Sequence, residues 1–159
     1  MNAPLYQAIL SAPGFSIGLR CHNGEVIGID YLASNPEQAP QTPLAQDAVR
    51  QLRAYLNDPT VAFDLPLAPA GTPFQRQVWQ HIAAIPHGQT ITYGELAKVI
   101  QSAPRAVGGA CGANPYPIIV PCHRVVAAGG RIGGFGRQRE GLLLHIKRWL
   151  LAHEQEPNT

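Results

Sequence analysis

The run Ile118-Ile119-Val120-Pro121-Cys122-His123-Arg124-Val125-Val126 puts a soft nucleophile, a base and a cation on three consecutive residues. A cysteine thiol has an ordinary pKa of about 8.5 and is only slightly ionised at neutral pH, so thiol chemistry needs a base or a positive field beside the sulfur. Cys122 has candidates for both in His123 and Arg124. A free cysteine beside an apolar run is also an ordinary packing residue, and position alone does not separate the two readings.

Composition narrows the setting. With 159 residues, 45% of them hydrophobic, the chain can bury one substantial core or two small ones. No stretch has the length of a membrane span, and Met1-Asn2-Ala3-Pro4 lacks the basic and apolar parts of a signal peptide, so a soluble, cytoplasmic protein is expected. Cys21, Cys111 and Cys122 make an odd count without close pairing, which argues against a disulfide framework and a cysteine-rich zinc site. Reduced thiols and no bound metal are expected. His81, His87, His145 and His153 are scattered rather than clustered as ligands. The net charge of +2 is unevenly spread: from Arg76 onward, nine Lys and Arg face four Asp and Glu. A polyanionic partner would meet that half, although a solvated basic face is the simpler reading.

The elements that must position Cys122 follow from periodicity and punctuation. Tyr6 to Leu10, Phe15 to Cys21 and Val26 to Leu32 read as short strands, with Asn23-Gly24 a hairpin signal. A helix is expected from Leu44 to Leu56, a strand over Val61 to Leu67, and a domain boundary near residue 70. Thr72-Pro73 opens a second helix with Phe74, Val78, Ile82 and Ile85 as its apolar stripe. Thr92-Tyr93-Gly94-Glu95 fits a capping box for a third, with Leu96, Val99 and Ile100 behind it. A fourth, from about Pro104 to Gly112, is almost entirely small residues, and its interior glycines each cost about 0.5–1 kcal/mol relative to alanine. The last two helices have the spacing of a helix-turn-helix, whose second member meets DNA. Small side chains would let it approach a groove, with Arg105 projecting from its first turn; equally, they would let it pack close to a core. A last helix is expected from about Glu140 to Glu154, burying Leu143, Ile146, Leu150 and Leu151.

Thr72-Pro73-Phe74-Gln75-Arg76-Gln77-Val78-Trp79, Tyr93-Gly94-Glu95-Leu96-Ala97, Arg105-Ala106-Val107-Gly108-Gly109-Ala110, Asn114-Pro115 and Ile119-Val120-Pro121-Cys122-His123-Arg124-Val125, in this order, resemble the O6-alkylguanine-DNA alkyltransferases, as does the closing Trp149-Leu150-Leu151-Ala152-His153-Glu154. The resemblance covers roughly residues 72–154 and implies an α/β protein: an N-terminal ribonuclease-H-like sheet-and-helix domain over 1–70, and a mainly helical DNA-binding and alkyl-acceptor domain over 71–159. It implies direct reversal of DNA damage, in which Cys122 takes a methyl or other alkyl group from O6-alkylguanine once only. No cofactor is called for. The implied partner is double-stranded DNA carrying the lesion, entered from the minor groove; the protein is expected as a monomer, with clustering along DNA left open.

The same resemblance assigns roles. His123 would act as base through a bridging water, because adjacent residues on an extended strand face opposite ways, and Glu154 would orient the imidazole. A glutamate near a chain end is otherwise usually solvated. Tyr93 would donate to the guanine ring and crowd the backbone phosphate, while carbonyls of Cys122 and Val125 would accept from the exocyclic amine. Extruding the nucleotide costs a few kcal/mol, and Arg105 would fill the gap. Ala106, Gly108 and Gly109 would lie along the groove, and Asn114 would brace the link to Cys122. Two features depart from the family's pattern. Phe135 and Gly136 stand in the loop over the alkyl pocket where Tyr and Ser are common, and the segment from Arg137 to Lys147 is several residues longer. Both bear on which alkyl groups fit. The alternatives are a non-catalytic reader of alkylated bases, which would lack the cysteine, and a helix-turn-helix regulator, which needs neither Cys122-His123 nor Glu154.

Overall fold

The computed structural model describes residues 5–133 and 141–155. The chain divides at Pro69 and Ala70 into two compact units. The first is an antiparallel meander of β1 (Ala8–Ala12), β2 (Phe15–His22) and β3 (Glu25–Leu32), followed by helix α1 (Pro43–Asn57). Asn23 and Gly24 turn β2 into β3 with φ of 50° and 77°, the two positive angles that a tight hairpin turn requires. Phe15, Ile17 and Leu19 alternate onto the face that meets Ala45, Ala48, Leu52 and Tyr55 of α1, all buried.

The strand expected over 61–67 does not form. Leu67 makes one isolated parallel bridge to Val26, and Gln51 clamps the segment through Asp64, donating to its carbonyl at 2.9 Å and accepting from its N–H at 2.8 Å. Pro66 has no N–H to give a ladder, which limits pairing there.

The second unit runs α2 (Pro73–Ala83), β4 (Ile91–Thr92), α3 (Tyr93–Val99), α4 (Pro104–Gly112), a 3-10 turn (Cys122–Arg124), β5 (Val125–Val126) and α5 (Leu142–Gln155). Thr72 and Thr92 each close a reciprocal capping box, with Gln75 and Glu95 respectively. Helix α4 packs against both α2 and α3, and the buried indole of Trp79 donates to the Ala110 carbonyl at 2.8 Å. Two expectations shift. Val99 is 60% exposed rather than part of the α3 core face. On α5 the buried positions are Leu144, Ile146, Lys147, Leu150, His153 and Glu154, so the inward face is rotated from the Leu143–Leu151 stripe and carries charge.

The apolar run before Cys122 is not a strand either. Ile118 sits at φ of 74° with its side chain buried, and Val120 N–H bonds back to the Tyr116 carbonyl at 2.8 Å. A β-branched residue in this left-handed region costs about 1–3 kcal/mol and persists only where its surroundings dictate it. Chain pairing comes just after the cysteine: Ile91 and Thr92 pair in parallel with Val125 and Val126. That two-residue ladder, absent from the periodicity reading, ties the start of α3 to the residues next to Cys122. Among the described residues no helix is long and apolar enough to cross a membrane, and no three His, Cys, Asp or Glu gather as a metal site.

Because Thr92 caps the helix that begins with Tyr93, Thr92→Ala should lower unfolding free energy by about 1 kcal/mol. Urea unfolding of parent and variant checks this value.

Candidate active site

Cys122 lies 3% exposed at the start of the 3-10 turn, held from two sides. Asn114, two residues beyond α4, donates through Nδ2 to the Val120 carbonyl at 2.8 Å and to Cys122 Sγ at 3.2 Å, while its Oδ1 accepts from Tyr116 N–H at 2.9 Å. One amide therefore spans the whole bend from α4 to Cys122. The Cys122 thiol also shares a hydrogen bond with the sulfur of Cys111, on the last turn of α4.

His123 is completely buried. Its Nε2 lies 2.8 Å from Glu154 Oε2 on α5, and a carboxylate only accepts, so Nε2 carries the proton and Nδ1 is left as the acceptor. Nδ1 is buried with no hydrogen-bond partner among the described residues. Glu154 in turn receives a two-pronged grip from Arg124, Nε to Oε1 at 2.9 Å and Nη2 to Oε2 at 2.8 Å, and Arg124 Nη1 donates to the Ile85 carbonyl at 2.6 Å. Arg124, read from sequence as a cation for the thiol, is instead spent on the carboxylate that fixes the His123 imidazole.

The cation near the sulfurs is Lys147, which the sequence reading missed. It is buried on α5, donates to the Val125 carbonyl at 2.8 Å, and lies 5.6 Å from the centroid of the Tyr93 ring. Its signal in the sequence was its place one helical stripe from Leu150 and Glu154, seven residues before the latter.

Charge at the site is finely set. Burial lowers the His123 pKa below its ordinary 6.5, outweighing the Glu154 carboxylate, so the imidazole is neutral and able to take a proton at pH 7. The Cys122 thiol is pushed well up, first by donating to Cys111 and then by burial, and the Asn114 amide and Lys147 only partly offset this. Cys122 at rest is therefore a thiol that needs a base. Burial brings Lys147 down to about 8, although the two sulfurs favour its charge. The Tyr93 hydroxyl is raised by burial first and by both sulfurs next, so it stays a proton donor.

The remaining predicted residues divide clearly. Arg105, Ala106 and Gly109 are exposed on α4 and Gly108 is partly so. A Cβ built on Gly108 or Gly109 would meet nothing within 4 Å. Close packing against the core therefore does not explain these glycines; they leave a smooth, open helix face. Phe135 and Gly136 lie outside the described residues.

Two measurements follow from this geometry. Glu154→Ala leaves buried Arg124 without its counter-charge and should cost about 3–5 kcal/mol in denaturant unfolding. For His123, the folded pKa is depressed, so the unfolded chain binds its proton first as pH falls. Stability should therefore decline below about pH 6.5, and His123→Gln should flatten that decline in unfolding measured from neutral pH to about pH 5.

Comparison with known proteins gives the arrangement its context. The family described as "6-O-methylguanine DNA methyltransferase, DNA binding domain" matches residues 73–156. The chain is 48% identical over 111 residues to a methylated-DNA–protein-cysteine methyltransferase of Methanosarcina acetivorans, covering 69% of this chain and 68% of that one. The crystal structure of the Mycobacterium tuberculosis O6-methylguanine methyltransferase superposes with a TM-score of 0.77 at 35% identity, covering 95% and 94% of the two chains. A structure of the same mycobacterial protein in complex with DNA gives a TM-score of 0.77 at 36% identity, covering 92% and 91%. The family match spans more than half of the chain, the archaeal relative is nearly half identical, and the fold agrees along almost its full length; the chain belongs to the O6-methylguanine DNA methyltransferase family.

Proposed function

We propose that Cys122 is the residue on which this family member does its chemistry. The protein is a methylated-DNA–protein-cysteine methyltransferase: it repairs DNA by moving the methyl group of O6-methylguanine onto one of its own cysteines. The observation that carries the assignment to Cys122 is the unpartnered, buried Nδ1 of a neutral imidazole next in the chain, with Glu154 holding the tautomer. The Cys122 proton passes to Nδ1, through one water where the two atoms do not meet, and Glu154 stabilises the imidazolium that results. The sulfur attacks the alkyl carbon; the S–C bond forms as the C–O6 bond breaks, and the electron pair leaves with guanine. A thioether has no comparable leaving group, so the molecule is spent after one transfer.

Tyr93 supplies a hydrogen bond to the departing base, and its place beside the β4–β5 ladder supports that role. Val125 offers its carbonyl to the exocyclic amine through the lone pair that Lys147 leaves free. The DNA surface is α4: an open stripe of Ala106, Gly108 and Gly109 entering the minor groove, with Arg105 occupying the space of the flipped nucleotide. This reading takes residues 71–159 as the DNA-binding and acceptor domain. The three free cysteines suit a reducing cytoplasm, and a monomer on duplex DNA is the working form.

Incubation with duplex O6-methylguanine DNA should add one methyl group to the protein, mapped by mass spectrometry to Cys122 and absent in Cys122→Ser. Tight binding with no change in mass would favour a non-catalytic reader. Arg105→Ala should slow repair of duplex about tenfold or more while sparing reaction with free O6-benzylguanine; equal losses on both substrates would remove the wedge role.

A further inference from the structure

We propose that Cys111 and Cys122 are a reversible dithiol–disulfide pair, joined by a hydroperoxide and reopened by a thiol reductant, which protects the single-use acceptor from irreversible oxidation. Three observations converge on the pair. The two sulfurs share a hydrogen bond. Asn114 bridges the two residues, donating from its N–H to the Cys111 carbonyl at 3.3 Å and from Nδ2 to Cys122 Sγ at 3.2 Å. Access differs: Cys111 is partly exposed while Cys122 is buried, so an oxidant from solvent meets Cys111 first.

The local field points the same way. The Cys111 thiol is lowered, first by the hydrogen bond from Cys122 and also by Lys147, against the opposing effect of burial. Cys111 is thus the more readily ionised sulfur and Cys122 the one that keeps its proton. Cys21, the third free thiol, lies on β2 in the other unit, and burial raises it.

The chemistry balances with one peroxide. The Cys111 thiolate attacks the hydroperoxide, an S–O bond forming as the O–O bond breaks, and the alkoxide or hydroxide leaves. The Cys122 sulfur then attacks the resulting sulfenic acid; the S–S bond forms, the S–O bond breaks, and hydroxide departs with the Cys122 proton as water. Two electrons pass from the two thiols to the peroxide. Without Cys111, a sulfenic acid formed at Cys122 would lack its hydrogen-bonded partner thiol and would proceed to sulfinic acid. That the disulfide silences alkyl transfer rests on the reading of Cys122 as acceptor; that it forms does not.

The test uses the full chain, reduced, treated with hydrogen peroxide, blocked with N-ethylmaleimide and digested without reductant for peptide mapping. The expected result is a peptide pair linking Cys111 to Cys122, with Cys21 blocked as a free thiol. Methyl acceptance from O6-methylguanine DNA should be lost, and dithiothreitol should restore it. Cys111→Ala should form no such link, and its peroxide-induced loss should resist dithiothreitol; Cys111→Ser serves as a second variant if alanine unsettles α4. Peroxide-treated protein in which these two cysteines stay unlinked, or link to Cys21 or to another molecule, overturns the proposal. So does a Cys111 variant that dithiothreitol rescues as fully as the parent. A protein that forms the link but never accepts a methyl group when reduced would leave the pair standing and overturn the assignment of Cys122.

Discussion

The carboxylate of Glu154 is the contact on which the site depends. It lies on α5, thirty-one residues from His123, and accepts the imidazole N–H and both prongs of Arg124. Arg124 extends the grip to the Ile85 carbonyl after α2. A buried ion pair gains little net stability over a well-packed apolar pair, because desolvating both charges offsets their attraction. What this one does is orient: the Cys122–Arg124 turn, α5 and the end of α2 are held in one geometry, and the imidazole is left with a single tautomer.

Around that anchor the site keeps its charges poised. A neutral histidine, a protonated cysteine and a lysine brought down to about 8 lie within one buried cluster, where burial disfavours charge on the thiol and the imidazole and a base is needed to take the cysteine's proton. Lys147 also touches both groups proposed to meet the base, bonding the Val125 carbonyl and lying over the Tyr93 ring. The two-residue ladder of β4 and β5 brings Tyr93 to the same place through the backbone. Cys122 and His123, consecutive on one turn, and Tyr93 at the start of α3, the groups proposed as acceptor, base and leaving-group donor, thus come from two segments joined through both side-chain and backbone contacts.

The elements legible in the sequence were those written in local signals. The hairpin at Asn23-Gly24, the capping boxes at Thr72 and Thr92, and the Pro-led start of α4 each depend on residues within a few positions of one another. The segments that misled were those in which distant contacts override local preference. Residues 118–120 have the composition of a strand, yet Asn114 holds them in a bend before Cys122, and Ile118 accepts an unfavourable φ. Residues 61–67 look strand-like, yet Gln51 and a single bridge to Val26 hold them as a loop.

The sequence by itself determined the ingredients: a cysteine beside a histidine, a glycine-rich helix led by an arginine, and motifs in an order that marks the family. Only the tertiary structure decided how the charges are shared. It gave Arg124 to Glu154 rather than to the thiol, placed Lys147, to which the sequence reading gave no role, in the core, and set Cys111 against Cys122. The physical reason is that ionisation and hydrogen bonding depend on burial and on neighbours in space. Here those neighbours are eleven to more than thirty positions apart in the chain, beyond the reach of any local pattern.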